Sequence, residues 1–237
     1  MISWNGVTSD DLHVIVASHP KYTIPERKME VVSVPGRSGD IIITQDAYEN
    51  VTQEYDLALI GLNESLPQTV REVMEWLMKP TGYARLEDTY YPDTFRFAYF
   101  QGGVDIVNRF NTVGRAKVSF SCKPQRFLRI GEWPILASSG MKLTNQSVYT
   151  AKPLFIVKGT GTASITVGSY SMSISSIETE IDIDCETQNA YYGSTNKNNV
   201  LSVTNGKFPV LAAGDTQISW TGSGVTSVTI IPRWWTL

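Results

Sequence analysis

Residues 180–186, EIDIDCE, gather the acidic side chains best placed to do chemistry. Alternate residues of an extended strand point to opposite faces, so Ile181, Ile183 and Cys185 go one way and Asp182, Asp184 and Glu186 the other. Same-face neighbours then lie about 7 Å apart, two rises of roughly 3.3 Å. Three carboxylates so arranged offer oxygen ligands for Ca²⁺, or the separation of an inverting glycosidase pair. A solvated strand face has the same pattern, and that is the expectation adopted: no catalytic residue, no metal and no cofactor.

Other chemistry-bearing residues are sparse. His13 and His19 lie six apart with no HExxH motif or Cys/His cluster near them, so both are expected to be surface or structural. The GxSxG elbow, the phosphate-binding P-loop and a GxGxxG following a strand are all missing from the sequence. Trp220, Tyr191 and Tyr192 are candidates for stacking on a sugar. Adjacent Trp234 and Trp235 must point to opposite faces of a strand, so one belongs in a core and the other is free to meet a partner. In VVSVPGRSGD, residues 31–40, Pro35-Gly36 suits a sharp reversal and Arg37 sits at its tip. A strand rather than a helix follows, which argues against a phosphate loop. We expect Arg37 to pair with a carboxylate, in its own subunit or the next.

Composition narrows the partners. The 237 residues carry 20 Lys and Arg against 23 Asp and Glu, a net charge of −3, so there is no excess positive field to grip a polyanion. Cys122 and Cys185 do not make a disulfide framework and read as buried free thiols. The opening MISWNGVTSDDLHVIV lacks the basic region and unbroken apolar run of a signal peptide, and no window is apolar enough to span a membrane. A protein made in the cytoplasm is expected.

The elements that must position these residues are mostly strands. Period-2 alternation runs through MEVVSV, DIIIT, TQEYDLALIG, FRFAYF and RAKVSFSC. One helix interrupts it, in SLPQTVREVMEWLMKPTG, with Leu66, Val70, Val73, Met74 and Leu77 on its apolar face. Ser65 and Gln68 form a capping-box pattern, Pro67 lies in the first turn, and Pro80 and Gly82 set the end. After about residue 138 the chain turns rich in Ser, Thr, Gly and Asn with short, evenly spaced strands, the texture of an antiparallel β-sandwich. The expected division is 1–135 and 136–237.

Taken in order, ISWNGVTSDDLHVIV, YTIPERKMEVVSVPGRSGD, VMEWLMKPTGYARLEDTYYPDTFRFAYF and GRAKVSFSCKPQRF together resemble the N-terminal domain of siphophage distal tail (Dit) proteins. AKPLFIVKGTGTASITVG, IDIDCETQNAYYG and GKFPVLAAGDTQISWTGSG with VTIIPRWW resemble the galectin-like sandwich that follows it in that family. The resemblance implies a mainly β protein: a barrel- or sandwich-like N-terminal domain with one helix and an extended hairpin, then a galectin-like sandwich whose last stretch, 228–237, can return toward the first domain. It implies a structural hub, not an enzyme: a homohexameric ring at the tip of a long non-contractile tail. That ring joins the major tail-tube protein to a tail-associated (Tal-like) protein and to receptor-binding proteins, and DNA passes through it without specific binding. The location implied is the virion tail tip. Arg37, Trp4 and Trp235 are then candidate contacts to other subunits or partners. The alternative is a glycan-binding sandwich of a host-recognition protein, although the second half lacks the histidine of the galectin sugar site.

Overall fold

The computed structural model describes residues 1–61, 66–109 and 112–237. The chain is mainly β and divides into two compact units, one of residues 1–126 with Leu237 and one of residues 127–236.

The first unit is built on an antiparallel sheet with strands in the spatial order Val7–Thr8, Ile2–Trp4, Ala84–Asp88, Thr94–Phe100, Val113–Cys122, Val51–Ile60 and Val14–Val16. The longest pairing runs ten residues, from Val113 opposite Ile60 to Cys122 opposite Val51. Alternation along Val51–Ile60 puts Val51, Gln53, Tyr55, Leu57 and Leu59 inside, and the residues between them are half-buried or exposed. This register matters because a slip of one residue would expose that whole set.

The helix Leu66–Met78 packs on the same core. Leu66, Thr69, Val73, Trp76 and Leu77 are its buried residues, spaced at i+3 and i+4. Met74 does not join them as expected: it is 55% exposed, one residue and thus about 100° around the helix from Val73. Trp76 fills the core in its place. Pro67 lies in the first turn, where its missing N–H costs no intrahelical bond. Pro80 follows the end and biases Lys79 away from helical geometry. Ser65, the expected cap, lies outside the described residues.

Two tryptophans fasten this helix to the sheet. The Trp4 indole N–H donates to the Leu77 carbonyl at 3.3 Å, and the Trp76 indole N–H donates to the Trp4 carbonyl at 3.2 Å. Leu77 is in the last turn, where carbonyls have no partner within the helix, so the first bond satisfies a group that would otherwise be orphaned in the core. The Trp4 ring also meets Phe120, centroids 4.9 Å apart.

The second unit is a two-sheet sandwich. One sheet runs Ile135–Ala137, Val225–Ile231, Leu154–Gly159, Glu180–Asp184, Asn189–Tyr192, Thr195–Asn196. The other runs Met141–Asn145, Gly214–Thr221, Gly161–Val167, Tyr170–Ile177, Leu201–Val203. Phe155, Val157, Ile181 and Ile183 from the first sheet share a core with Ile165, Met172, Ile174 and Ile218 from the second. Gly131 is required by the C-terminal segment crossing it: a Cβ there would stand 2.4 Å from the Trp234 nitrogen, and the Gly131 carbonyl accepts the Arg233 N–H at 2.7 Å. Cys122 and Cys185 are free and buried, one in each unit.

Trp76→Ala is expected to cost about 3–5 kcal/mol, since it opens a cavity and removes one of the two indole bonds. Equilibrium urea unfolding measures this, and a loss of under ~1 kcal/mol would show that the indole clamp does not hold the helix.

Candidate functional site

Among the described residues, strands Arg27–Val32 and Ile41–Tyr48 pair only with each other, in register Val32 with Ile41, Val31 with Ile42 and Glu30 with Ile43. The base of this hairpin is closed by the Glu49 N–H donating to the Glu26 carbonyl at 2.8 Å and by a Lys28–Glu49 ion pair at 3.6 Å. At the far end the Arg37 N–H donates to the Val34 carbonyl at 3.1 Å across Pro35-Gly36, and Gly36 has φ +81. Pro at the second position and a left-handed Gly at the third make this a type II turn. The reversal read from VVSVPGRSGD is present.

The apolar residues of the hairpin have no cover among the described residues. Directly opposed residues share a face, so Met29, Val31 and Ile42 lie on one side and Val32, Ile41 and Ile43 on the other. Each of the six is at least 36% exposed, and Ile42 reaches 61%. A run such as Ile41-Ile42-Ile43, apolar at consecutive positions, belongs to a strand buried on both faces. A lone two-stranded hairpin is also only marginally stable in water. Both arguments mark these faces as ones that water alone covers poorly.

The electrostatics at the tip are simple. Arg37 is exposed and its side chain has no ion-pair partner among the described residues, so the carboxylate expected within its own subunit is not there.

The aromatic candidates fall elsewhere. Trp4 is wholly buried, so the expectation of a surface contact gives way to the core role described above. Trp235 stacks on Tyr149 with centroids 4.4 Å apart, and its indole N–H donates to the Thr150 carbonyl at 2.9 Å. Trp220 is half-buried against the sandwich core in one sheet, whereas Tyr191 and Tyr192 belong to the other. The three are therefore not brought together as one stacking platform. His13 ends a short 3₁₀ turn and His19 packs against Tyr90, centroids 4.4 Å apart.

Three of the four carboxylates of residues 180–186 are paired with cations, Glu180 with Lys158 among them, while Asp182 keeps a buried oxygen without a hydrogen bond. Ile181, Ile183 and Cys185 are buried as the alternation predicted, but Asp184 is buried too. Arg233 grips it with two bonds, Nη1 to Oδ1 at 2.7 Å and Nη2 to Oδ2 at 3.1 Å. The Glu186 and Thr187 N–H groups also donate to Oδ1. Glu186 lies beyond the strand and pairs with Lys152 at 3.4 Å. No group of three or more His, Cys, Asp or Glu able to hold a metal occurs among the described residues. Arg233 was missed from sequence because 49 residues separate it from Asp184.

Burial by itself would raise the Asp184 carboxyl, but the hydrogen bonds and charge of Arg233, with the Thr187 and Glu186 N–H groups, hold it below the usual carboxylate range. A depressed folded value means that the stabilisation is fully present above the unfolded value of about 4 and is lost as pH falls through the folded one. Arg233→Met should therefore cost about 3 kcal/mol at pH 7 by leaving a buried carboxylate unpaired. That deficit should shrink below about pH 4, as a urea-denaturation series over pH would register.

No protein-family model matches this sequence, and no curated protein matches it. Among solved structures, SPP1 Dit (gp 19.1), described as a paradigm of hub adsorption apparatus in phages infecting Gram-positive bacteria, matches at a TM-score of 0.78 and 11% identity, over 100% of this chain and 98% of that one. Chains of the phage p2 baseplate in its activated conformation, with strontium and with calcium, match at TM-scores of 0.54 and 0.53, each at 11% identity over 92% of this chain and 89% of theirs. At such identities the likeness is one of fold, and it extends from end to end: this chain has the fold of SPP1 Dit.

Proposed function

We propose that this chain is a distal tail protein: the structural hub of a long non-contractile phage tail tip, assembled as a homohexameric ring. The observation that carries the reading is the hairpin with apolar residues on both faces and no cover among the described residues, in a chain with the fold of a phage hub protein. A second copy covering those faces makes a head-to-tail interface, and six such contacts close by rotation. The first unit forms the ring, and the second is a galectin-like sandwich. One ring face meets the major tail-tube protein, the other a tail-associated protein, and receptor-binding proteins attach to the periphery. The net charge of −3 suits a ring that lets DNA pass without holding its phosphates. The role needs no catalytic step, and its location is the virion. Arg37, exposed at the hairpin tip, takes its carboxylate partner from the next copy.

Light scattering and negative-stain grids of the purified chain test the assembly. Rings of six are expected, and Ile42→Asp should reduce them to monomers, because burying an isoleucine contributes about 1.5–3 kcal/mol at every interface and a buried unpaired carboxylate reverses it. Arg37→Ala should weaken the ring more modestly, by about 1 kcal/mol per contact. A wild-type chain that stays monomeric at high concentration, without affinity for a tail-tube protein, would rule the proposal out.

A further inference from the structure

The first unit contains a buried cluster that the assembly role does not use. Arg96, on the strand Thr94–Phe100, is 5% exposed, and among the described residues none of its three guanidinium nitrogens has a partner in good hydrogen-bond geometry, the weakly accepting Cys122 thiol being alongside. Arg126 is 4% exposed with Nε and Nη2 likewise unpartnered, its guanidinium lying 4.4 Å from the Tyr22 ring centre and 4.7 Å from that of Tyr91. Both arginines line one cavity of about 20 Å³, with Asp88 and Tyr55 also in its wall. Two guanidiniums that cannot lose their protons therefore share one small space.

The protein groups nearby do not neutralise them. Three of the roughly four lone-pair sites of Asp88 are in use: Oδ2 accepts the Tyr55 hydroxyl at 2.9 Å, and Oδ1 accepts the Tyr90 and Tyr91 N–H groups at 2.9 and 2.8 Å. As a charge it offsets one arginine of the two. Cys122, close to Arg96, is held neutral because burial pushes its thiol up more than the guanidiniums pull it down, and Tyr55 is raised well above its ordinary value first by burial and then by Asp88. The cluster thus carries one uncompensated positive charge in a nearly water-free place, an arrangement whose cost is large unless it is paired. The cavity admits one water-sized occupant, which excludes tetrahedral oxyanions and carboxylate-bearing molecules.

We propose that the first unit binds one small monovalent anion, a chloride-sized halide, between Arg96 and Arg126 as an integral part of its fold. The ion accepts N–H groups from both guanidiniums, balances the charge of Arg96, Arg126 and Asp88, and joins the strand Thr94–Phe100 to the segment that leaves the first unit at Arg126. Halide binding to the folded state alone raises stability with concentration.

The test uses the full chain, with thermal unfolding in sodium chloride and in sodium gluconate at equal ionic strength. Chloride should raise the midpoint by roughly 5–10 °C at a hundredfold excess over its Kd, saturating as a single site does. Crystals soaked in bromide should show an anomalous peak within hydrogen-bond reach of both arginines. Arg96→Met removes the surplus charge, so its midpoint should no longer differ between the two salts. Equal wild-type midpoints in the two salts would overturn the proposal, as would a bromide map with no peak in the cavity or density there for a water or for a side chain of a second copy. If Arg96→Met does not fold, the wild-type salt comparison and the bromide map still decide.

Discussion

Every apolar sheet face must be taken out of water, and that constraint organises the molecule. In the first unit the helix Leu66–Met78 provides cover, held by the reciprocal bonds between Trp4 and the Trp76–Leu77 turn. In the second the two sheets cover each other, sharing Phe155, Ile181, Ile165 and Ile218 in one core. The hairpin of residues 27–48 is the exception, with valines and isoleucines on both faces in solvent. Its strands are no worse as strands than the others. What they lack is a second layer, and a second copy of the chain is the reading that supplies one.

Buried charge is treated in two ways. Arg233 and Asp184 satisfy each other with two bonds, and two backbone N–H groups complete the carboxylate. That pair ties the C-terminal segment to the strand Glu180–Asp184, beside the close crossing at Gly131. Arg96 and Arg126 have no such partner for their inner nitrogens among the described residues. The contrast explains why the acidic strand that looked most like a site is a structural tie, and why the least solvated unpaired charge lies among aromatic rings in the other unit.

Much of the local structure is legible in the residues. Pro35-Gly36 dictates its turn because one residue presets φ and the other tolerates a left-handed backbone. The helix announces itself by spacing, yet that spacing admits Met74 on its apolar face as readily as Trp76, since Leu66, Val70, Val73 and Leu77 are compatible with either neighbour until the sheet fixes the angle at which the helix lands. In residues 180–186 alternation correctly sends Ile181, Ile183 and Cys185 inward, but it cannot say whether the opposite face meets water or an arginine 49 positions away.

By itself, then, the sequence determined the strand-rich character, the one helix, the hairpin turn and the absence of familiar catalytic motifs, because all of these follow from patterns within a few residues. Tertiary structure decided which apolar residues find cover and which charges find partners. Trp4 reaches Leu77 across 73 residues, Arg233 reaches Asp184 across 49, and Arg96 meets Arg126 in a cavity that no local pattern foretells. Burial and pairing are properties of chain crossings, and where distant segments cross is set by the packing of whole sheets.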